Sequence, residues 1–154
     1  MRITLVAVGR LKEAHWRDAA AEYLKRMRPY ATIDVVEVPD RDVTRDETRA
    51  LAEEGVDVLR ALPDVAHVIA LEIGGRRLSS EEFADEIADH MVGGRSHVAF
   101  VLGGAAGLAP EVLSRADARL SLGPMTLPHQ LARVVLLEQI YRAFRIMRGE
   151  PYHR

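Results

Sequence analysis

Residues 97–110 read HVAFVLGGAAGLAP. The first six run without polar alternation, which is the pattern of a strand covered on both faces. Gly103, Gly104 and Gly107 then form a GGxxG turn, and Pro110 sits where a helix begins, because proline's missing N–H costs nothing in a first helical turn. Buried strand, glycine turn and helix in immediate succession form one unit of an α/β sheet.

The unit recurs in both directions. Toward the amino terminus, residues 3–8 are a β-branched apolar run ended by Gly9, followed by a helix over about 15–27. Residues 32–38 alternate around Ile33, Val35, Val36 and Val38 and stop at Pro39. Thr44 with Glu47 has the form of a capping box and predicts a helix to about Leu62, before Pro63. Residues 65–73 read as a third strand, and Ser79 or Ser80, with Glu82 or Glu81 behind it, opens a helix through Met91 that Gly93 and Gly94 end. Toward the carboxyl terminus, a helix over about 110–115 and a strand over 118–122 lead through Gly123 and Pro124 to a last helix, about 128–148, stopped by Gly149 and Pro151. The fold class is α/β, a mostly parallel sheet with helices on both faces, and residues 1–154 form a single domain. Ligands of such sheets bind beyond the carboxyl ends of the strands, here the loop after Leu71 and residues 103–108 and 123–128.

Apolar residues make up 48% and charged residues 29% of the 154, the balance of a water-soluble globular protein. With no cysteine there is no disulfide framework, thiolate metal site or cysteine nucleophile. No apolar run approaches the ~20 residues of a membrane span, and residues 1–10 are too short an apolar stretch for a signal peptide, so a cytoplasmic location without membrane association is expected.

The last helix carries the chemistry. Val134, Val135, Leu136, Leu137 and Ile140 leave almost no polar side for one and a half turns, so either the rest of the domain or a second copy of the chain must cover it from several directions. Its polar residues are cationic: from Met125 onward five arginines face two acids, Glu138 and Glu150, although the whole chain has net charge −2. A local basic patch of Arg133, Arg142, Arg145 and Arg148 suits phosphate recognition. The same residues also serve ordinary purposes, since Glu138 and Arg142 stand at ion-pair spacing and arginines complement a helix carboxyl end. GGxxG is not a phosphate-binding P-loop, because no Lys-Ser/Thr follows, and a plain tight turn explains it equally well. The histidines are scattered without metal-ligand spacing, and no serine stands in a G-x-S-x-G elbow. What remains is a metal-free site of backbone loops and basic groups, suited to an electrophile that arrives already activated.

VAVG at residues 6–9, LGG..GL at 102–108, LSL..MTLPHQLARVVLLEQIYRA at 120–143 and the terminal PYHR resemble the RlmH family of bacterial ribosomal RNA methyltransferases, in the SPOUT class. The likeness runs over essentially the whole chain. It implies a homodimer with a carboxy-terminal trefoil knot, S-adenosylmethionine as cosubstrate with no metal, and N3-methylation of pseudouridine 1915 of 23S rRNA on the assembled ribosome. It also implies a cofactor site of Leu71, Gly103, Leu122, Gly123, Pro124, Met125, Thr126 and Leu127. The RNA-facing set becomes His129, Arg142, Tyr152, His153 and Arg154, joined by Arg133 and Arg145 of the basic helix. Ala105-Ala106 and Gly123-Pro124 depart from residues common in relatives, so an acid in the glycine loop is not indispensable.

For such a reaction N3 must lose its proton in line with the methyl group. Arg142 would stabilise the negative ring, and His153 or His129 would accept the proton. Tyr152 would stack on a base. Two other classes stay open on the residues alone. A non-catalytic ribosome-binding factor would keep the arginines without binding the cofactor, and a Rossmann-like enzyme of small metabolites would ignore ribosomes.

Overall fold

Strand β1 (Arg2–Val8) is buried from its second residue to its last. Ile3, Leu5 and Ala7 point into one apolar cluster, and Val6 and Val8 into another. A strand that is apolar on both faces needs helices on both faces, and the computed structural model, which describes residues 1–152, supplies them.

The remaining elements are α1 (Ala14–Met27), β2 (Thr32–Val38), α2 (Glu47–Ala61), β3 (His67–Arg77), α3 (Ser80–Val92), β4 (His97–Leu102), α4 (Pro110–Arg115), β5 (Ala118–Ser121) and α5 (His129–Met147). The five strands form one sheet in the order β2-β1-β4-β3-β5, and every pairing is parallel. The α/β expectation is met. Helices α1, α3 and α5 share a core with one face of the sheet through Met27, Ile87, Leu137, Ile140 and Phe144. Val58 of α2 and Val112 of α4 cover the other. Each large side chain sealed this way contributes on the order of 1.5–3 kcal/mol. On the α2–α4 side the helices approach closely: a Cβ on Gly55 would lie 2.7 Å from the Ala109 Cβ.

Two local expectations are corrected. Thr44 does not cap α2; its N–H and hydroxyl donate to Asp42, and Asp46 caps the helix by accepting from the Arg49 N–H at 3.0 Å. Asp46 is nearer the helix and its carboxylate is the better acceptor for a first-turn N–H. Strand β3 does not stop at Ile73. It bulges between Leu71 and Arg76 and then resumes pairing with β5. Gly74-Gly75, just past the expected end of the strand, lies in the bulge, and Gly75 must be glycine because a Cβ there would meet the β5 backbone at 2.8 Å. Of the two serines that could open α3, Ser79 is the cap, and it forms a capping box with Glu82.

Helix α5 packs between α1 and α3. Leu136, Leu137, Ile140, Ala143 and Phe144 are buried, whereas Leu131, Val134 and Val135 remain half-buried within one protomer. Gly149, at φ +64°, ends the helix in the left-handed conformation that β-carbons disfavour.

Arg133 ties α5 to the edge strand β2 and to the turn after β1. Its guanidinium is buried, donating to the Glu37 carboxylate at 2.6 Å and to the Gly9 carbonyl at 2.9 Å. Its side chain is thus held by partners within the chain, although it still lines an open cleft beside α1. Arg133→Ala is expected to cost about 2–3 kcal/mol, because it strands the buried Gly9 carbonyl and leaves Glu37 without its counter-charge. Scanning calorimetry should show a melting temperature lower by about 5–10 °C; an unchanged one would show that the tie carries no stability.

Candidate functional site

The carboxyl ends of β3, β4 and β5 open onto a cleft of about 750 Å3, within the range of small-molecule sites. After β4 the chain turns sharply: Gly104 and Gly107 form an isolated bridge, the Gly107 N–H donating to the Gly104 carbonyl at 3.1 Å. Gly107 sits at φ +80°. Gly103 is packed so closely that a Cβ would fall 2.3 Å from the Gly107 carbonyl oxygen. The loop thus presents bare backbone to the cleft, which is how amide groups reach a ligand's polar edge.

After β5, the buried Ser121 hydroxyl accepts from the Gly123 N–H at 3.1 Å and donates to the Gly123 carbonyl at 3.0 Å. That clasp, with Gly123 at φ +129°, turns residues 122–128 back across the opening. Leu71, Ile73, Leu122 and Leu127 supply apolar walls. Of the eight residues expected to hold the cofactor, Leu71, Gly103, Leu122, Gly123, Met125, Thr126 and Leu127 line the cleft, and Pro124 does not. His129, at the start of α5, lines it too. Among the described residues Glu72 and His129 are its only ionisable lining, and Glu72 already pairs with Arg119 at 3.3 Å. Leu113 and Ala132 also line it and were not expected; both stand within helices, where sequence marks only an apolar position.

A second group of expected residues gathers at the other end of α5. The Arg142 guanidinium donates to Glu138 from Nε at 3.0 Å and from Nη2 at 2.5 Å, and lies 4.7 Å from the centre of the Tyr152 ring. The Tyr152 hydroxyl donates to the same Glu138 oxygen at 3.1 Å. Burial first, and then the Glu138 charge and this hydrogen bond, push the Tyr152 phenol up to about 12. The hydrogen bond to Glu138 raises Arg142 further above the ordinary arginine value. Arg145 binds Glu150 at 2.5 Å, the Tyr30 hydroxyl at 3.0 Å and the Pro151 carbonyl at 3.2 Å, pinning the tail to α1's carboxyl end. The Glu138–Arg142 pair was signalled by its spacing. Tyr30 and Tyr141 were not expected here: Tyr30 is joined by folding across 115 residues, and the Tyr141 ring meets that of Tyr152 edge-on, 4.9 Å between centres. His153 and Arg154 lie outside the described residues.

His129 and Arg142 are 13 positions apart on one continuous helix, which separates them by about 20 Å at ~1.5 Å per residue. One protomer therefore does not bring its cleft and its tail cluster to a common point. Among the described residues no three His, Asp or Glu side chains converge as metal ligands, and no helix is long and apolar enough to cross a membrane.

The family described as predicted SPOUT methyltransferase matches residues 1–153. The chain is 50% identical over 159 residues to "Ribosomal RNA large subunit methyltransferase H" of Carboxydothermus hydrogenoformans, covering 100% of both chains. It is 51% identical to the protein of the same name from Listeria welshimeri, again over 159 residues and 100% of both. Among solved structures, it is similar to a probable methyltransferase from Bordetella pertussis Tohama I, with a TM-score of 0.61 and 22% identity over 93% of this chain and 96% of that one. It is also similar to a probable methylase family protein from Haemophilus influenzae Rd KW20, with a TM-score of 0.58 and 18% identity over 99% of this chain and 70% of that one.

Proposed function

This chain belongs to the SPOUT methyltransferase family, and from that premise we propose that it methylates large-subunit ribosomal RNA. The reaction is N3-methylation of pseudouridine 1915 in 23S rRNA, on the assembled ribosome in the cytoplasm, with S-adenosylmethionine as donor. The rRNA substrate is supported by the names of the full-length relatives at 50% and 51% identity. The carboxy-terminal trefoil knot is part of the same reading.

The observation that carries the cofactor assignment is the backbone-lined cleft at residues 103–107 and 122–127. Its volume suits an adenosyl amino acid, its apolar walls suit a purine ring, and its exposed amides suit ring nitrogens and a carboxylate. Leu71, Gly103, Leu122, Gly123, Met125, Thr126 and Leu127 would hold the cofactor, with Pro124 shaping the loop that carries them. When bound, it supplies an electrophilic sulfonium methyl group.

This chain's own residues must orient the uracil ring, help remove its N3 proton and steady the charge that results. Arg142 is suited to steadying that charge, because a cation held in place by Glu138 costs little reorganisation as the ring becomes anionic. His129 lines the cleft and is one of two proton acceptors proposed; His153 is the other. Tyr152, in contact with Arg142, would stack against an unpaired base, with Arg145 and Arg154 on the RNA backbone.

The ~20 Å between His129 and Arg142 calls for a homodimer, in which one protomer's tail cluster meets its partner's cleft. The half-buried Leu131, Val134 and Val135 offer apolar surface for it. Calorimetric titration with S-adenosylmethionine tests the cofactor half of the proposal: saturable binding is expected, and none would overturn it.

A further inference from the structure

We infer that a second cleft on the same edge of the sheet, ringed by Arg10, Lys12 and Arg17, holds phosphates of the RNA whose base enters the cofactor cleft. The inference rests on the ribosomal RNA reading above. It adds a contact surface at the amino-terminal end of the fold, which the tail-centred set does not include.

The cleft measures about 540 Å3 and lies where β1 runs out into α1, floored by Leu5, Leu11 and Leu137. Among the described residues four cations line it, Arg10, Lys12, Arg17 and Arg133, against one acid, Glu37. Glu37 is already committed to Arg133 at 2.6 Å, so the remaining charge in the cleft is positive and uncompensated by its own lining. Glu13 and Asp18 are near in sequence and the Asp40 side chain packs beside Gly9, but none of the three lines the cleft. The Arg10 and Lys12 side chains are exposed and make no hydrogen bond or ion pair with another described residue. Arg17 is held over the turn by donating to the Leu11 and Lys12 carbonyls, which fixes its guanidinium at the rim. In a chain with net charge −2, three rim cations around one opening form a local field suited to a polyanion.

Placement selects RNA as that polyanion. The first turns of α5 form the wall between the two clefts: His129 and Ala132 line the cofactor side, Arg133 and Leu137 the basic side. The clefts are therefore separated by about the 10–12 Å thickness of one helix, which a few nucleotides of extended RNA span. The cluster of Arg142 and Tyr152 lies at the far end of that helix. A strand whose base enters a cleft would thus be gripped on one side by the cleft's own protomer, through the rim cations, and on the other by the partner's tail. Phosphate contacts of this kind position the chain without reading its sequence.

The test uses the full-length protein, S-adenosylmethionine and ribosomes lacking the modification. Arg10→Gln/Lys12→Gln removes two exposed charges and no hydrogen bond; Arg10→Lys/Lys12→Arg keeps the charge. The neutral variant is expected to bind S-adenosylmethionine as wild type does and to keep kcat. Its KM for ribosomes should rise about tenfold, and the dependence of log KM on log salt should flatten by about 1.5 units. The charge-preserving variant should restore both. Methyl transfer by wild type, with KM and salt slope unchanged in the neutral variant, would overturn this inference alone. No transfer by wild type would overturn the functional reading and this inference with it.

Discussion

Gly103→Ala is expected to abolish cofactor binding in a chain that still folds. A β-carbon at Gly103 would lie 2.3 Å from the carbonyl oxygen and 2.4 Å from the carbonyl carbon of Gly107. Both are backbone atoms, so no side-chain rotation relieves the clash. The loop from Gly103 to Gly107 must open instead, breaking the 3.1 Å bond from the Gly107 N–H to the Gly104 carbonyl. Those amides form one wall of the proposed cofactor site. S-adenosylmethionine affinity should fall at least about 100-fold, or about 2.7 kcal/mol. Gly104→Ala is the internal control: its Cβ would meet the Val8 Cγ1 at 3.1 Å, a side-chain contact that yields by a few tenths of an ångström. That variant should bind within about threefold of wild type, which is under 1 kcal/mol. Circular dichroism separates a lost site from a lost fold. Calorimetric affinity for Gly103→Ala close to that of wild type would remove the glycine loop from the cofactor site.

Arg142→Ala is the second large effect. Turnover should fall about 10²- to 10³-fold, the usual loss when one preorganised group opposite a developing anion is removed. S-adenosylmethionine affinity should stay unchanged, because Arg142 does not line the cofactor cleft and is assigned to the charge on the uracil ring, not to the cofactor. The fold should tolerate the change, since Glu138 keeps the bonds donated by Gln139 at 2.9 Å and Tyr152 at 3.1 Å. If the dimer joins one tail to the partner's cleft, the two variants should complement. Gly103→Ala and Arg142→Ala protomers, each inactive alone, would regain about a quarter of wild-type activity after random 1:1 exchange, because half the dimers then carry one intact site of two. No recovery after confirmed exchange would show that each protomer works alone.

The layered fold was legible because both faces of β1 and β4 are apolar, a property of a strand's own residues. The start of α3 was legible to within one residue, because both candidate caps, Ser79 and Ser80, stand at its opening. Strand order was not, since the placement of β4 between β1 and β3 depends on packing over long separations. Nor was the bulge at Gly74-Gly75, because glycine marks both an end and an irregularity, and only the β5 backbone behind Gly75 distinguishes them. At α2 two caps competed within three residues, and the nearer Asp46 prevailed over Thr44.

The loops of the cleft followed from the rule that parallel sheets bind beyond their carboxyl ends, whereas Leu113 and Ala132 reach it only through the way α4 and α5 dock. Charge counting grouped Arg133 with Arg142 and Arg145 as one basic face. Folding separates them: Arg133 turns inward to a carboxylate 96 residues earlier, while the other two brace the tail. Ionic partners that far apart leave no trace in local sequence.

The central claim is a methyl transfer to ribosomal RNA, and it is tested most directly with S-adenosylmethionine labelled in its methyl group. The protein would be offered ribosomes lacking the modification, as whole particles and as separated large subunits, and the labelled nucleotide mapped. The account predicts one labelled site, pseudouridine 1915 carrying the methyl on N3, with whole ribosomes preferred. Label at another nucleotide, or none while the cofactor still binds, would contradict it.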